Sequence, residues 1–165
     1  MPRLIDEVPP QRLTVEWSPD VNVQVGQVVL TRNMLKRPKL SWPAEYGAFY
    51  TVMILDGGIE RLLPKFYTHW LVMNIPGGSL QDGIEFFEYV PPFSFTLNDE
   101  GLEDPGEAHP MMILVFKQSQ GKIDKVTEHQ IGCTPEIVGG RIIDLNEFKE
   151  KYGLELIAGN FLRCP

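Results

Sequence analysis

The sequence predicts a single mostly β domain over residues 1–165, an antiparallel β-sandwich with a few short peripheral helices. Short runs of alternating or nearly all-apolar residues recur along the chain, which is typical of strands. The 15 glycines and 14 prolines fall mostly between these runs, as turn residues do in sandwiches and barrels. Helical periodicity is rare, and the length is sufficient for one hydrophobic core.

The predicted strands combine β-branched or aromatic residues with turn residues at their ends. They cover 12–17, 21–25, 49–55, 68–75, 85–90, 111–116 and 154–162. Residues 49–55 (FYTVMIL) are nearly all apolar, which is expected for a strand that is covered on both faces. Strict alternation along 68–75 predicts that His69, Leu71, Met73 and Ile75 lie on one side.

One helix is predicted near the end of the chain. Asp144 and Glu147 have the spacing of a capping box, in which the Asp side chain accepts a hydrogen bond from the amide of residue 147. Apolar residues follow at helical spacing, and Gly153 can end the helix in the left-handed conformation.

Charge and composition exclude several classes of protein. The formal net charge of −7 disfavours general nucleic-acid binding, and the basic stretch 36–39 is too short to reverse this. No apolar run is long enough to span a membrane, and the N-terminus lacks the apolar core of a secretory signal. Cys133 and Cys164 have no CxxC spacing, so reduced thiols and a cytoplasmic location are expected.

Three polar residues stand at predicted strand ends. Asp56 ends the face that begins at Tyr50, while His69 and His109 each begin a strand. If the strands pair antiparallel, these side chains lie at one end of the sheet and form a shallow rim pocket. Backbone capping by the histidines is the structural alternative. A metal site has suitable ligand types but no supporting spacing, and a serine hydrolase lacks the G-x-S-x-G motif.

The chain resembles the phosphatidylethanolamine-binding proteins (PEBPs), the family that includes the Raf kinase inhibitor proteins. The similar segments are SWPAEYGAFYTVMILD (41–56), THWLVMNIPGG (68–78), HPMMILVFKQ (109–118) and FKEKYGLELIAGNFLRC (148–164). The resemblance runs almost end to end. It implies a β-sandwich with a small anion pocket.

Within this resemblance, Asp56 matches the first Asp of the family's D-P-D-x-P loop. His69 matches the pocket histidine, His109 matches the histidine of G-x-H-R, and Pro91 and Pro92 match the rim. The second Asp and the Arg are absent, and an Arg would have supplied a fixed fork of donors for phosphate. We therefore expect a reduced pocket.

The resemblance implies a non-catalytic binding or regulatory protein without a cofactor. A phosphate or phosphoethanolamine-like anion is expected to bind weakly, and a protein partner is expected to matter more. The alternative is a structural subunit of the mitochondrial large ribosomal subunit, since one such subunit has a PEBP-like domain with a degraded loop. The acidic charge argues against RNA contact. Inhibition of a peptidase is a third possibility, and an enzyme is disfavoured because no nucleophile with an adjacent base is evident.

Overall fold

The computed structural model describes residues 5, 7–17, 20–57, 65–92, 108–124 and 141–165. The prediction for Cys133 falls outside these ranges. Within them the chain forms eleven strands and one α-helix. The elements are β1 (Gln11–Arg12), β2 (Thr14–Trp17), β3 (Val21–Asn22), β4 (Gln27–Val28), β5 (Lys39–Ser41), β6 (Phe49–Asp56), β7 (Lys65–Pro76), β8 (Ile84–Phe87), β9 (His109–Gln118), β10 (Ile142–Asp144), α1 (Leu145–Tyr152) and β11 (Leu154–Cys164).

The strands form two sheets, which confirms the predicted mostly β sandwich. The large sheet has eight strands in the order β1-β11-β9-β6-β7-β10, with β4 also paired to β11 and β8 to β7, while the small sheet has the order β3-β2-β5. The long central strands pair antiparallel as predicted. The two-residue strands β1 and β4 run parallel to β11, so the large sheet is mixed.

The large sheet is covered on both faces, which explains the nearly continuous apolar sequence of β6. On one face Val52 and Ile54 belong to a first core that also contains Val15 of the small sheet. On the other face Met53 packs in a second core with Phe148 of α1. The three tryptophans are buried in the first core.

The prediction that His69, Leu71, Met73 and Ile75 share one side of β7 is wrong. Leu71 and Met73 pack in the second core, whereas Ile75 packs in the first. The register between β6 and β7 shifts in this stretch, and Asn74 adopts a φ of +53°. Such a β-bulge adds one residue to one strand and reverses the side-chain alternation beyond it.

Two predicted strands are shorter than expected. The strand predicted at 21–25 ends at Asn22, and Val25 is 62% exposed instead of facing the core. The strand predicted at 85–90 ends at Phe87. Beyond it the backbone carbonyls of Glu88 and Val90 accept hydrogen bonds from side chains of other segments, so these groups do not continue a β-ladder.

The predicted helix is confirmed, with the expected residues at both ends. Glu147 donates its backbone N–H to Asp144 Oδ1 at 3.1 Å, and Gly153 ends α1 with a φ of +59°. Among the described residues no helix is long and apolar enough to cross a bilayer.

Replacement of the capping residue should destabilise the protein measurably. Asp144→Ala removes the acceptor for the orphan amide, and we expect the free energy of unfolding to fall by about 1 kcal/mol in urea titrations. Asp144→Asn keeps a side-chain oxygen at the same position and serves as the control, with a change below about 0.5 kcal/mol. Equal losses in both variants would contradict a role for the cap.

Candidate functional site

The antiparallel pairing brings the three predicted polar residues to one end of the large sheet. Asp56 is the last residue of β6 and pairs with Tyr67 of β7 on one side and Met111 of β9 on the other. His69 lies two residues beyond Tyr67, and His109 begins β9. All three side chains are buried, with exposed fractions of 8%, 4% and 5% for Asp56, His69 and His109.

Both imidazoles hydrogen-bond to the carboxylate between them. His69 Nε2 is 3.0 Å from Asp56 Oδ2. His109 Nε2 is 3.1 Å from both Asp56 Oδ2 and Oδ1. These residues, hereafter the Asp56 cluster, therefore form one hydrogen-bonded unit. In the described part of the chain, no group of such side chains is arranged to hold a metal ion.

A second irregularity of β7 places His69 beside Asp56. Ile54 pairs with Trp70 and Leu55 with Thr68, so His69 is the additional residue of a β-bulge. Strict alternation predicted this imidazole on the side of Leu71 and Met73, which pack in the second core. The bulge turns it to the face on which β6 ends in Asp56, in agreement with the frequent role of bulges in redirecting side chains near functional sites.

The hydrogen bonds of the two histidines keep Asp56 ionised. His69 Nδ1 is 2.8 Å from the carbonyl oxygen of Val90, so both ring nitrogens of His69 face oxygens. Burial acts to raise the pKa of Asp56, but the hydrogen bonds from His109 and His69 outweigh it and hold this pKa well below its usual range. Both ring nitrogens of His69 therefore have an oxygen partner within the protein.

The predicted proline rim begins directly after Val90. Val90 donates its backbone N–H to the carbonyl of His69 at 2.9 Å and accepts from His69 Nδ1, which ties this segment to the cluster. Pro91 is half-buried and Pro92 is buried. The structure thus positions both prolines through their neighbour, and their role in ligand binding stays a prediction.

Arg141 is a site-supporting residue that sequence reasoning missed. Its Nε donates to the carbonyl of Thr68 at 2.8 Å, and its Nη2 donates to the carbonyls of His69 at 3.0 Å and Glu88 at 2.6 Å. Its guanidinium carbon lies 4.9 Å from the centre of the Phe87 ring. No sequence motif indicates this role, because the hydrogen-bond partners are distant backbone groups.

The departure after His109 also has a structural consequence. Pro110 and Met111 occupy the positions at which the resemblance would place an Arg and an aromatic residue, and both are buried in β9. Met111 packs in the first core, and Pro110 accepts a hydrogen bond from the Gly57 amide at 3.1 Å. These two positions therefore add no cation beside His109.

No family model matches the chain. Solved structures of known proteins nevertheless share its architecture. A PEBP of Plasmodium falciparum superposes with a TM-score of 0.67 over 100% of this chain and 92% of its own, at 15% identity. The chain has the PEBP fold. The carboxypeptidase Y inhibitor, solved with its cognate proteinase, shares it with a TM-score of 0.63 over 94% of this chain and 83% of its own, at 16% identity.

A curated relative is closer in sequence. "Putative odorant-binding protein A5" of Drosophila melanogaster is 28% identical over 99% of this chain and 74% of its own length. The resemblance inferred from the sequence is thus confirmed for the PEBP fold, and sequence similarity extends over nearly all of the chain.

The Asp56 cluster should make the free energy of unfolding depend on pH in the acidic range. Because the native pKa of Asp56 is lowered, the unfolded state binds more protons at low pH, and stability rises with pH. The contribution of Asp56 should be complete above about pH 5 and should decline as the pH falls below about 4. Urea titrations from pH 2 to 7 should show a smaller decline for Asp56→Asn. The exposed Asp82→Asn is the control, and an unchanged slope in Asp56→Asn would contradict the assignment.

Arg141→Lys should disturb the bulge that holds His69. An ammonium group cannot reproduce the three directed contacts, and we expect a loss of about 2 kcal/mol in unfolding free energy. The ¹⁵N resonances of the His69 ring should shift as well, which a purely remote stabilising role would not cause. Arg163→Lys is the matched control, since Arg163 donates to a single carbonyl at an exposed position. Unmoved His69 resonances in Arg141→Lys would contradict this positioning role.

Proposed function

We propose that this protein is a divergent, non-catalytic PEBP-type binding protein in which the Asp56 cluster holds a small anionic group at a reduced pocket. The observation that carries the proposal is the convergence of two buried imidazoles on one ionised carboxylate. Imidazole N–H groups are hydrogen-bond donors, which suit the oxygens of a small anion.

Weak binding follows from the same geometry. Positions 110 and 111 are occupied by Pro and Met, and the Arg141 guanidinium is hydrogen-bonded to three backbone carbonyls. A phosphate or phosphoethanolamine headgroup would therefore meet imidazole donors without the guanidinium fork that binds phosphate strongly. Pro91 and Pro92 would form the rim of this pocket.

A binding role without catalysis is supported by the relatives. Their names describe phosphatidylethanolamine binding, inhibition of a carboxypeptidase and odorant binding. The Asp56 carboxylate is hydrogen-bonded to both imidazoles, and this arrangement provides no nucleophile with an adjacent base. We further propose that the main biological contact is with a protein partner. The cytoplasmic location stays a prediction, as does the mitochondrial ribosomal alternative, which cosedimentation with ribosomal particles would test.

Calorimetric titration with phosphoethanolamine and with inorganic phosphate tests the proposal. We expect saturable binding with a Kd on the order of 1 mM, equivalent to about −4 kcal/mol. His109→Gln should weaken binding at least about fivefold, roughly 1 kcal/mol. Asp82→Asn should leave it unchanged.

The outcomes separate the parts of the proposal. Micromolar binding would contradict the reduced pocket. Absence of binding up to about ten times the expected Kd, or equal binding by His109→Gln, would contradict the anion site. Ring resonances of His69 and His109 that move together with the calorimetric saturation would place the anion at the Asp56 cluster.

A further inference from the structure

An open cleft lies on the face of the large sheet opposite to the Asp56 cluster. Its volume is about 500 Å³, within the range of roughly 300–1,000 Å³ typical of small-molecule pockets. Met112 and Leu114 of β9 form part of its lining and belong to the second core. His109, by contrast, lies on the same face of β9 as Met111 and Ile113, which belong to the first core.

The N-terminal segment forms one wall of the cleft. Leu13 donates its backbone N–H to the carbonyl of Gly159 at 2.9 Å, and β1 runs parallel to β11 beside it. A Cβ added at Gly159 would come within 2.7 Å of Pro9 Cγ and 3.1 Å of Leu114 Cδ2. The absence of a side chain at position 159 therefore lets the segment approach the sheet closely.

Apolar residues form most of the lining of the cleft. Val8 and Val25 are 81% and 62% exposed, and Phe161 also belongs to the lining. These two valines belong to the five large hydrophobic residues that are exposed in the described part of the chain. Two exposed valines therefore line the same cleft, whereas exposed apolar residues of monomeric proteins are commonly scattered singly.

Three of the four polar residues of the lining form side-chain contacts within the protein. Glu7 forms an ion pair with Lys149 at 2.6 Å, and Arg12 donates to Gln24 Oε1 at 2.7 Å. The Asn160 amide donates to the carbonyls of Leu13 and Val23 at 2.9 and 3.2 Å. An occupant would therefore meet mainly apolar surface, and a charged group would lose hydration without compensation.

We propose that this cleft binds a small, uncharged, apolar molecule. Its thirteen lining residues are fewer than the roughly 20–30 that one side of a stable protein–protein interface contributes. The volume of the cleft and its mainly apolar lining favour such a molecule over a second copy of the chain. The site is independent of the Asp56 cluster and binds a different class of ligand.

Two fluorescent dyes of similar size but different charge test the proposal on the full chain. The uncharged N-phenyl-1-naphthylamine should bind saturably at one site with a Kd on the order of 10 μM, or about −7 kcal/mol. The anionic 8-anilinonaphthalene-1-sulfonate should bind at least fivefold more weakly. Tighter binding of the anionic dye, or no saturable binding of the uncharged one, would overturn the proposal.

Variants locate the uncharged dye. Val25→Asp and Val8→Asp should each weaken its binding about tenfold. Leu35→Asp, at a residue of similar exposure (64%) outside the cleft, should change it less than twofold. Equal effects of all three variants would overturn the proposal, as would a dimer that Val25→Asp converts to a monomer. Circular dichroism and thermal melts verify that each variant is folded.

Cross-titrations keep the two sites distinguishable. His109→Gln should leave binding of the uncharged dye within twofold, and Val25→Asp should leave the binding of phosphoethanolamine unchanged. Loss of both ligands in either variant would overturn the independence of the cleft. Failure of phosphoethanolamine binding alone would affect only the Asp56 cluster.

Discussion

The ionised carboxylate of Asp56 is the constraint on which one end of the sheet depends. A buried charge is tolerated only when it is paired and hydrogen-bonded, and here two imidazoles from separate strands supply both requirements at 3.0 and 3.1 Å. These two hydrogen bonds link β7 and β9 to the end of β6. The second nitrogen of His69 extends the unit to Val90, so that a segment without regular secondary structure is fixed against the sheet.

The opposite end of the same strands shows how differently a buried polar group can be satisfied. There Gln118 exchanges hydrogen bonds with Asn74, and its Oε1 also accepts from Thr51 Oγ1 at 2.8 Å. The Asn74 side chain in turn bonds the backbone of Ile123 in both directions. These amides and hydroxyls carry no charge in any accessible pH range. The Asp56 cluster instead combines burial with a carboxylate and two imidazoles in direct contact, which is why it is the better candidate for function.

Two faces of one sheet thus offer two chemically different environments. Alternate residues of β9 are directed to the ionisable cluster and first core, or to the second core and the apolar cleft. Arg141 contributes to the first environment without entering it, because its donors are directed to backbone carbonyls on both sides of the bulge at His69. The site therefore depends on backbone positions as much as on its own side chains.

The sequence by itself determined the sandwich class, the central strands, the capped helix and the identity of the three polar residues at strand ends. These follow from local spacing, since periodicity, turn residues and capping act over a few neighbours. Only the tertiary structure decided on which face His69 lies, that Ile75 and Leu71 separate into different cores, and that Arg141 supports the site. Bulges and long-range carbonyl contacts arise from the register between strands distant in sequence, which no local pattern specifies.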